Sequence, residues 1–224
     1  SFCLAADKML AFMAEMKKKL GFEADSLNMG GGFGIWYAEG DAKIGAEGYA
    51  EYLRALLSTI RRGCEKLGLR LPYVYLEPGR SIVGEAGITL YTVGAIKEIP
   101  GIRKYVAVDG GMFDNPRYAL YQSKYTAVLA NRAAEEATEL VSIAGKCCES
   151  GDLIGVDFNL PVAKTGDILA VLSTGAYNYS MASNYNRNMI PPAVLVRDGK
   201  AECIVKPQSY EDLVRNDVIP DRLK

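Results

Sequence analysis

The sequence of 224 residues contains no histidine. This absence excludes a Ser-His-Asp triad, a Cys-His dyad, a histidine general base and a histidine-ligated zinc site made by these residues alone. Proton transfer by this chain would therefore depend on cysteine, tyrosine, lysine or a carboxylate, or on a cofactor or residue that the chain does not contain.

The cysteines form neither of the two common cysteine frameworks. There are five of them, an odd number, and no two are spaced as C-x-x-C. The pattern therefore predicts neither a disulfide scaffold nor a zinc ribbon. We expect reduced thiols in a cytoplasmic protein and no metal site.

An excess of charge of one sign is also absent, because 26 lysines and arginines nearly balance 27 aspartates and glutamates. The balance does not favour binding to nucleic acid. No apolar run approaches the roughly 18 residues of a membrane span. Lysines interrupt the first apolar stretch, which is unlike a signal peptide. We therefore expect no nucleic-acid partner and no membrane association.

The first third of the sequence alternates between helical and strand patterns. Apolar residues recur with helical spacing in residues 4–20 and 48–67, and strand patterns follow each at 27–29 and 73–76. This order predicts parallel βα units, which need neighbours on both sides, and a (β/α)8 barrel has eight of them over about 250 residues. We expect residues 1–83 to be the C-terminal units of an incomplete barrel in a fragment of a longer polypeptide. The alternative is a small α/β subdomain.

The remaining residues, 84–224, have a different pattern. Segments rich in β-branched and aromatic residues are separated by turn residues at short intervals, which is typical of an antiparallel β-sandwich or barrel. The predicted fold class is therefore α/β plus all-β. An Asp-Gly turn at 198–199 predicts a hairpin, and a helix is predicted at 211–216. The predicted strands are residues 88–99, 105–108, 140–144, 168–172, 193–197 and 201–206.

Two groups of candidate residues follow the first two predicted strands. The backbone of Gly30, Gly31 and Gly32 could approach a phosphate closely, although three glycines also suit an ordinary turn. Glu77 and Arg80 lie where the second strand ends, and barrel enzymes carry their sites at the C-terminal ends of strands. The pair would suit a ligand with a basic nitrogen and an anionic group, or would form a surface ion pair.

Further candidate residues lie in the second part of the chain. Cys147 and Cys148 precede two carboxylates and a glycine turn, and a thiol near a reacting carbon can donate a proton. The same residues would suit a β-turn with buried cysteines. Arg117 and Tyr121 are four residues apart, so a helical turn would place both on one face. The polar segment 180–188 could be a loop or a lid.

Six segments with such residues follow one another along the chain: Gly30-Gly31-Gly32-Phe33-Gly34, Glu77-Pro78-Gly79-Arg80, Asp109-Gly110-Gly111-Met112, Arg117 with Tyr121, Cys148-Glu149-Ser150-Gly151-Asp152 and Gly175-Ala176-Tyr177. In this order they resemble the diaminopimelate decarboxylases, pyridoxal-phosphate enzymes of the alanine-racemase-like, fold-type III class. The resemblance spans essentially the whole chain but matches only the C-terminal part of the family's chain. It implies a barrel followed by a β-domain. The missing N-terminal barrel portion would carry the Schiff-base lysine and a histidine that stacks on the cofactor ring.

The resemblance implies pyridoxal 5'-phosphate as the cofactor. Glu77 would pair with the pyridine nitrogen, which keeps the ring protonated and able to accept electrons. The glycine backbone would hold the phosphate, Gly32 most directly, together with Arg80 and Tyr177. The full set of implied cofactor contacts is Gly30, Gly31, Gly32, Glu77, Gly79, Arg80 and Tyr177.

The resemblance also implies a small amino-acid substrate and a homodimer. Arg117 and Tyr121 would hold the distal end of the substrate. Cys148 would donate a proton, and Cys148 and Glu149 would enter the active site of a partner subunit, so that the active sites lie at the dimer interface. The implied substrate contacts are Arg80, Arg117, Tyr121, Glu149 and Tyr177.

The function that the resemblance implies is decarboxylation of meso-2,6-diaminopimelate to L-lysine and CO2, the last step of lysine biosynthesis. Arg117 favours this reaction over decarboxylation of ornithine or arginine, because those substrates lack a distal carboxylate. The first alternative is a related fold-III decarboxylase that acts on ornithine, lysine, arginine or carboxynorspermidine. A second alternative is a non-catalytic fragment or regulatory relative that only dimerises. One departure from the family is Cys147, which stands where relatives commonly have a histidine. We expect this chain alone to be incomplete and inactive.

Overall fold

The computed structural model describes residues 1–223, and these residues fall into two units. Unit 1 comprises Ser1–Trp36 and Gly40–Glu85. Unit 2 comprises Tyr37–Glu39 and the chain from Ala86 onward. The assignment of the first 83 residues to a barrel and of the rest to a separate β-domain stays a prediction.

Unit 1 contains two long helices and a two-stranded parallel sheet, in the order that the sequence pattern predicts. Its elements are α1 (Phe2–Leu20), β1 (Ser26–Asn28), α2 (Ala46–Leu67), β2 (Tyr73–Tyr75) and the short α3 (Arg80–Val83). The two strands pair in parallel with Ser26 opposite Tyr73. Each strand thus follows a helix, and the ends of both strands lead into loops that contain candidate residues.

The two long helices of unit 1 end in the same way and are joined at their ends. Gly21 and Gly68 adopt left-handed conformations with φ of 65° and 63°, which glycine accepts without strain. The Lys17 ammonium donates to the Gly68 carbonyl at 2.7 Å and pairs with Glu23 at 3.0 Å. These contacts fix the C-terminal end of α1 against the end of α2.

The core of unit 1 lies among α1, α2 and β1. Its buried members are Ala6, Leu10, Met13, Leu27, Leu56, Ile60, Cys64 and Leu69. The helices approach closely at Gly63, where a Cβ would lie 2.5 Å from Leu10 Cδ1. On the same helix as Leu10, the side chains of Leu4, Phe12 and Leu20 are exposed. Helix α1 therefore buries only part of its apolar surface within unit 1.

Unit 2 is built on a six-stranded mixed sheet with the strand order β5-β8-β3-β4-β6-β7. Its strands and the helix between them are β3 (Thr89–Ile99), β4 (Arg103–Val108), α4 (Arg117–Tyr121), β5 (Ala127–Leu129), β6 (Glu139–Ala144), β7 (Leu153–Leu160) and β8 (Ile168–Val171). The core on this sheet is formed by Tyr91, Val93, Val106, Val108, Tyr125, Ala127, Leu129, Val141, Ile143, Ile154, Phe158, Leu160, Ala163, Leu169 and Val171.

The sheet corrects the prediction of an entirely antiparallel β-domain. Strands β4 and β6 pair in parallel, with Tyr105 opposite Ser142, while their other neighbours are antiparallel. The sequence pattern also misses β5 and β7. Strand β5 has only three residues, and β7 contains Gly155, Asp157 and Asn159, which are residue types that are depleted in strands.

The C-terminal part of unit 2 contains a separate hairpin and short helices. Strands β9 (Ala193–Arg197) and β10 (Lys200–Val205) pair antiparallel, and the Asp-Gly turn between them has φ of 50° and 73°, as the turn chemistry predicts. The remaining elements are α5 (Asn178–Met181), α6 (Tyr210–Val214) and 3-10 turns at Ala130–Arg132, Tyr185–Arg187 and Asp221–Leu223. In residues 1–223 no helix is both long and apolar enough to cross a lipid bilayer.

A buried polar pair fixes the loop that follows β4. The Tyr91 hydroxyl donates to one carboxylate oxygen of Asp114, and the other oxygen accepts the Gly111 N–H at 3.0 Å. Gly110 packs on the tyrosine ring, where a Cβ would lie 2.0 Å from Tyr91 Cε1. Burial raises the pKa of Asp114 to about 6, although its hydrogen bonds act in the opposite direction.

We expect Ile143→Ala to lower the free energy of unfolding by about 3 kcal/mol, because Ile143 is fully buried and the change leaves a cavity in the sheet core. Leu140→Ala on the same strand is the matched control, since Leu140 is 62% exposed and should change stability by about 0.5 kcal/mol or less. Urea denaturation of both variants measures the difference. Equal losses would contradict the placement of the core.

We expect Asp114→Asn to change how stability depends on pH. The folded pKa of about 6 lies above the unfolded value, so the contribution of Asp114 favours folding fully at low pH and is lost as pH rises through 6. The unfolding free energy of the wild type minus that of the variant should fall by roughly 2–3 kcal/mol between about pH 4 and pH 7. Urea titrations across this range measure it. A difference that is constant or rises with pH would show that the Asp114 pKa is not raised.

Candidate functional site

The loop of Gly30, Gly31 and Gly32 follows β1 in unit 1 after one intervening residue, and it lies against Glu77, the second residue after β2. Gly30 and Gly32 have φ of 69° and 86°, in the left-handed region that favours glycine. Gly31 lies so close to the next loop that a Cβ would stand 2.0 Å from the Glu77 carbonyl oxygen. The loop therefore requires glycine for its own packing, and it carries no side chains that would shield its N–H groups.

Asn28, the last residue of β1, connects this loop to Glu77. Its amide nitrogen donates to Glu77 Oε1 at 2.6 Å, and its amide oxygen accepts the Gly30 N–H at 2.8 Å. The Glu77 N–H donates in turn to the Gly30 carbonyl at 2.8 Å. The glycine loop and the carboxylate thus form one network. Sequence reasoning missed Asn28, whose only signal is its position just before the glycines.

Gly79 and Arg80 open the short helix α3. The Gly79 carbonyl accepts the Ile82 N–H at 3.0 Å. Glu77 pairs with Asn28 rather than with Arg80, and no ion pair of the described residues involves Arg80. The alternative of a surface ion pair between the two candidate residues is therefore wrong, and Arg80 retains its charge for another anion.

Arg117 in unit 2 is a buried cation surrounded by aromatic rings. It begins α4 and is 8% exposed. Its Nη1 donates to the Tyr37 hydroxyl at 3.1 Å, and its Nη2 donates to Ser123 Oγ at 3.3 Å. The guanidinium carbon lies 5.6 Å from the Tyr37 ring centre and 5.0 Å from the Tyr177 ring centre. These are cation–π distances, so two rings flank the charge.

The charge of Arg117 is not neutralised within the part of the chain that the structure describes. None of the ion pairs found there involves it, and its Nε has no hydrogen-bond acceptor. Burial of a cation without a partner is costly, whereas a bidentate carboxylate would satisfy it. The arrangement can therefore bind an anionic group.

The surroundings of Arg117 provide further polar groups. Tyr177 adopts φ 73° and ψ −41°, a conformation that is costly for a residue with a side chain. The next residue, Asn178, is buried, and its amide oxygen accepts from the Tyr125 hydroxyl at 3.4 Å. Its amide nitrogen has no acceptor among residues 1–223. Burial raises the pKa of Tyr125 to about 12, so this phenol stays neutral near Arg117 at ordinary pH.

Tyr121 lies on the same short helix as Arg117 but in a different environment. Its side chain is 64% exposed, whereas Arg117 is buried. Within the described residues no hydrogen bond joins the two side chains, although they are four positions apart. Tyr37, in contrast, contacts Arg117 from a distance of 80 residues along the chain, and sequence reasoning gave no signal for it.

The loop 145–152 that contains Cys147 and Cys148 joins β6 to β7 and is held by the buried carboxylate of Asp152. Asp152 accepts the N–H groups of Met112 and Cys147, both at 2.6 Å. The approach requires glycine at Gly145, where a Cβ would lie 2.2 Å from Asp152 Oδ2. A single carboxylate therefore fixes this loop to the loop that follows β4.

The two neighbouring thiols differ in their surroundings. Both are free, but Cys147 is partly buried and Cys148 is exposed. Burial, together with the nearby Asp152 carboxylate, raises the pKa of the Cys147 thiol to about 11. Glu149 is exposed beside Cys148. Cys148 is therefore the more exposed of the two neighbouring cysteines.

The structure thus brings together some of the predicted residues in each unit. It joins the glycines to Glu77 in unit 1, and Arg117 to Tyr177 in unit 2. Their roles as cofactor or substrate contacts stay predictions. In the described range 1–223, no cluster of three or more cysteine, aspartate or glutamate side chains could hold a metal ion.

Comparison with known proteins gives the family. A family model described as "Pyridoxal-dependent decarboxylase, C-terminal sheet domain" matches residues 5–175. Diaminopimelate decarboxylase from Bacillus subtilis (strain 168) is 51% identical over 217 residues, which make up 97% of this chain and 49% of that protein. The enzyme of the same name from Staphylococcus aureus (strain COL) is 53% identical over 201 residues, 89% of this chain and 47% of that protein. The chain spans about half the length of these relatives.

Solved structures agree with the sequence relatives. The crystal structure of diaminopimelate decarboxylase from M. jannaschii in complex with L-lysine has a TM-score of 0.86 at 35% identity, covering 100% of this chain and 49% of that one. A lysine/ornithine decarboxylase from Vibrio vulnificus shares the fold, with a TM-score of 0.63 at 21% identity. Because the family model matches more than half of these residues, the chain belongs to the pyridoxal-dependent decarboxylases and contains their C-terminal sheet domain.

Proposed function

We propose that the protein containing this chain converts meso-2,6-diaminopimelate to L-lysine and CO2 with pyridoxal 5'-phosphate as its cofactor, the last step of lysine biosynthesis. The observation that carries the proposal is the buried guanidinium of Arg117, which has no carboxylate partner in the described residues. A substrate with an amino acid group at each end supplies that carboxylate while its other end reacts. The chain is 51% and 53% identical in sequence to two diaminopimelate decarboxylases, and this similarity supports the same substrate.

The residues of unit 1 fit the cofactor. The Gly30 N–H is held by Asn28, but no side chain of the glycine loop shields the N–H groups of Gly31 and Gly32, which suits a phosphate. Asn28 holds one oxygen of Glu77, and the carboxylate can accept a hydrogen bond from a protonated pyridine nitrogen. The other proposed cofactor contacts are Gly79, Arg80 and Tyr177. When bound, the cofactor supplies an electron sink for the carbon that loses CO2.

Arg117 would select the substrate by its charge. A bidentate carboxylate would satisfy the guanidinium, which lies near the rings of Tyr37 and Tyr177. A substrate without a distal carboxylate leaves the cation buried and unpaired, which is a strong source of discrimination. We assign Tyr121, Glu149, Arg80 and Tyr177 to the remaining substrate contacts.

Cys148 would donate the proton to the substrate carbon after CO2 leaves. Its thiol is exposed, whereas the neighbouring thiol of Cys147 is partly buried and has a raised pKa. We propose that Cys148 and Glu149 act in the site of a partner subunit, so that the homodimer is the catalytic unit. The exposure of both residues supports this arrangement.

Activity would also require the half of the relatives that this chain does not span. We propose that this half supplies the other barrel units and the lysine that anchors the cofactor. The exposed apolar side chains of Leu4, Phe12 and Leu20 on α1 support further packing partners for unit 1. Measurements of activity therefore require the complete polypeptide. A cytoplasmic location stays a prediction.

In the complete enzyme, Arg117→Ala should raise the KM for diaminopimelate by about 10- to 100-fold, because charge-assisted hydrogen bonds to one carboxylate are lost. The assay measures CO2 release from diaminopimelate, ornithine, lysine, arginine and carboxynorspermidine. The wild type should prefer diaminopimelate, and the variant should lose most of that preference. A wild type that prefers ornithine or lysine would favour the related decarboxylases. Release from no substrate would favour a non-catalytic relative.

Cys148→Ala should lower kcat by about 100-fold or more and change KM by no more than about threefold, because the thiol acts in proton transfer rather than in binding. Cys147→Ala is the matched control and should retain kcat within about threefold. Steady-state kinetics of both variants in the complete enzyme measures the contrast. The opposite pattern would assign the proton donor to Cys147.

A further inference from the structure

We propose that Asn186 is a positioning residue for Cys148 and fixes the backbone from which its thiol projects. The inference rests on the proposed function, because it concerns the proposed proton donor. The Asn186 amide oxygen accepts the Cys148 N–H at 2.8 Å. In the same segment, the Tyr185 hydroxyl donates to Glu149 Oε2 at 3.1 Å. Two neighbouring residues of the segment thus hold the two residues that would act in the reaction.

A third contact of this segment acts on the other cysteine. The Asn188 amide nitrogen donates to Cys147 Sγ at 3.5 Å and to the Tyr185 carbonyl at 3.0 Å. The Cys147 thiol therefore accepts a hydrogen bond from Asn188, whereas Cys148 is exposed. The polar segment 180–188, for which the sequence pattern predicts a loop or a lid, thus distinguishes the two thiols.

The backbone at Cys148 is fixed from two sides. The Cys148 N–H is held at 2.8 Å by Asn186, and the N–H of the next residue, Glu149, donates to the Cys147 carbonyl at 2.8 Å. These two bonds set the planes of two successive peptide groups. Because the Cα–Cβ bond of Cys148 follows from the two flanking peptide groups, the acceptor on Asn186 limits the positions that the exposed thiol can occupy.

The segment that carries Asn186 has defined anchors of its own. Asn186 and Arg187 both adopt left-handed backbone conformations, with φ of 52° and 57°. The Arg187 guanidinium donates to the Leu213 carbonyl at 2.7 Å, and the Ser183 N–H donates to the Phe113 carbonyl at 2.8 Å. The segment is thus fixed at both ends, so its side chains can act as fixed acceptors and donors.

Tyr185 offers a contrast to Asn186 within the same segment. Its hydrogen bond to the Glu149 carboxylate raises the pKa of the Tyr185 hydroxyl, which therefore remains a donor at ordinary pH. Glu149 is a proposed substrate contact, whereas Cys148 is the proposed proton donor. Loss of the Tyr185 contact should therefore appear in KM, and loss of the Asn186 contact should appear in kcat.

The test compares Asn186→Gly with Tyr185→Phe in the complete enzyme. Glycine accepts the left-handed φ of Asn186, so this change removes the acceptor without adding strain. We expect Asn186→Gly to lower kcat about fivefold with KM within about twofold, and Tyr185→Phe to raise KM about fivefold with kcat within about twofold.

Two further variants serve as rescue and control. Asn186→Asp keeps an acceptor and should retain at least about half of the wild-type kcat. Asn216→Gly, at an exposed residue outside the segment, is the control and should leave both parameters unchanged.

Amide hydrogen exchange provides a second readout that does not require turnover. In Asn186→Gly, exchange at the Cys148 N–H should become about fivefold faster, while exchange at the Cys147 N–H should stay within about twofold, because Asp152 still holds it. A wild type without decarboxylase activity overturns the proposed function. An active wild type with an unchanged kcat in Asn186→Gly, or with equal changes at both N–H groups, overturns only the positioning role. If Asn186→Gly fails to fold, Asn186→Asp provides the test. A Cys148 N–H that stays protected from exchange, together with most of the wild-type kcat, supports the positioning role of Asn186. A protected N–H together with a large loss of kcat overturns that role.

Discussion

The buried carboxylate of Asp152 accepts the backbone N–H groups of Met112 and Cys147 and thereby joins the two loops that carry the candidate chemistry of unit 2. Removal of this acceptor would leave two partly buried donors unsatisfied, so the geometry of both loops depends on it. Gly145 makes the contact possible by lacking a Cβ. Unit 1 also depends on a missing Cβ, because the Glu77 carbonyl can lie against the glycine loop only where Gly31 has no side chain.

Much of the fold could be predicted from local patterns in the sequence. Helices α1 and α2 follow from apolar spacing and their terminal glycines, and the hairpin of β9 and β10 follows from its Asp-Gly turn. The parallel pairing of β4 with β6 could not be predicted, because pairing depends on contacts between distant residues rather than on the composition of either strand. Strand β7 could not be predicted for a similar reason, because it is stabilised by pairing with β6 although its glycine and polar residues are uncommon in strands.

The residues of the candidate site also differ in how well the sequence predicts them. The residue types that carry charge or a thiol stand out in the sequence, but the groups that orient them do not. Asn28 meets Glu77 across 49 residues, and Tyr37 meets Arg117 across 80. Nothing in the local sequence distinguishes these two partners from other asparagines and tyrosines, because they approach the charged groups only in the folded chain. A sequence motif therefore identifies the charged and reactive groups of the site better than it identifies the groups that position them.

The segment Tyr37–Glu39 belongs to unit 2, although the residues before and after it belong to unit 1. The chain therefore passes between the units at three points, and neither unit is a continuous stretch of sequence. Tyr37 packs edge-on against Tyr125, its carbonyl accepts from Thr126 at 3.0 Å, and its hydroxyl accepts from Arg117. A recombinant β-domain cut at Ala86 would lack one aromatic wall around Arg117. Gene fusions or domain exchanges between relatives would preserve this site only if they transferred the distant tyrosine as well.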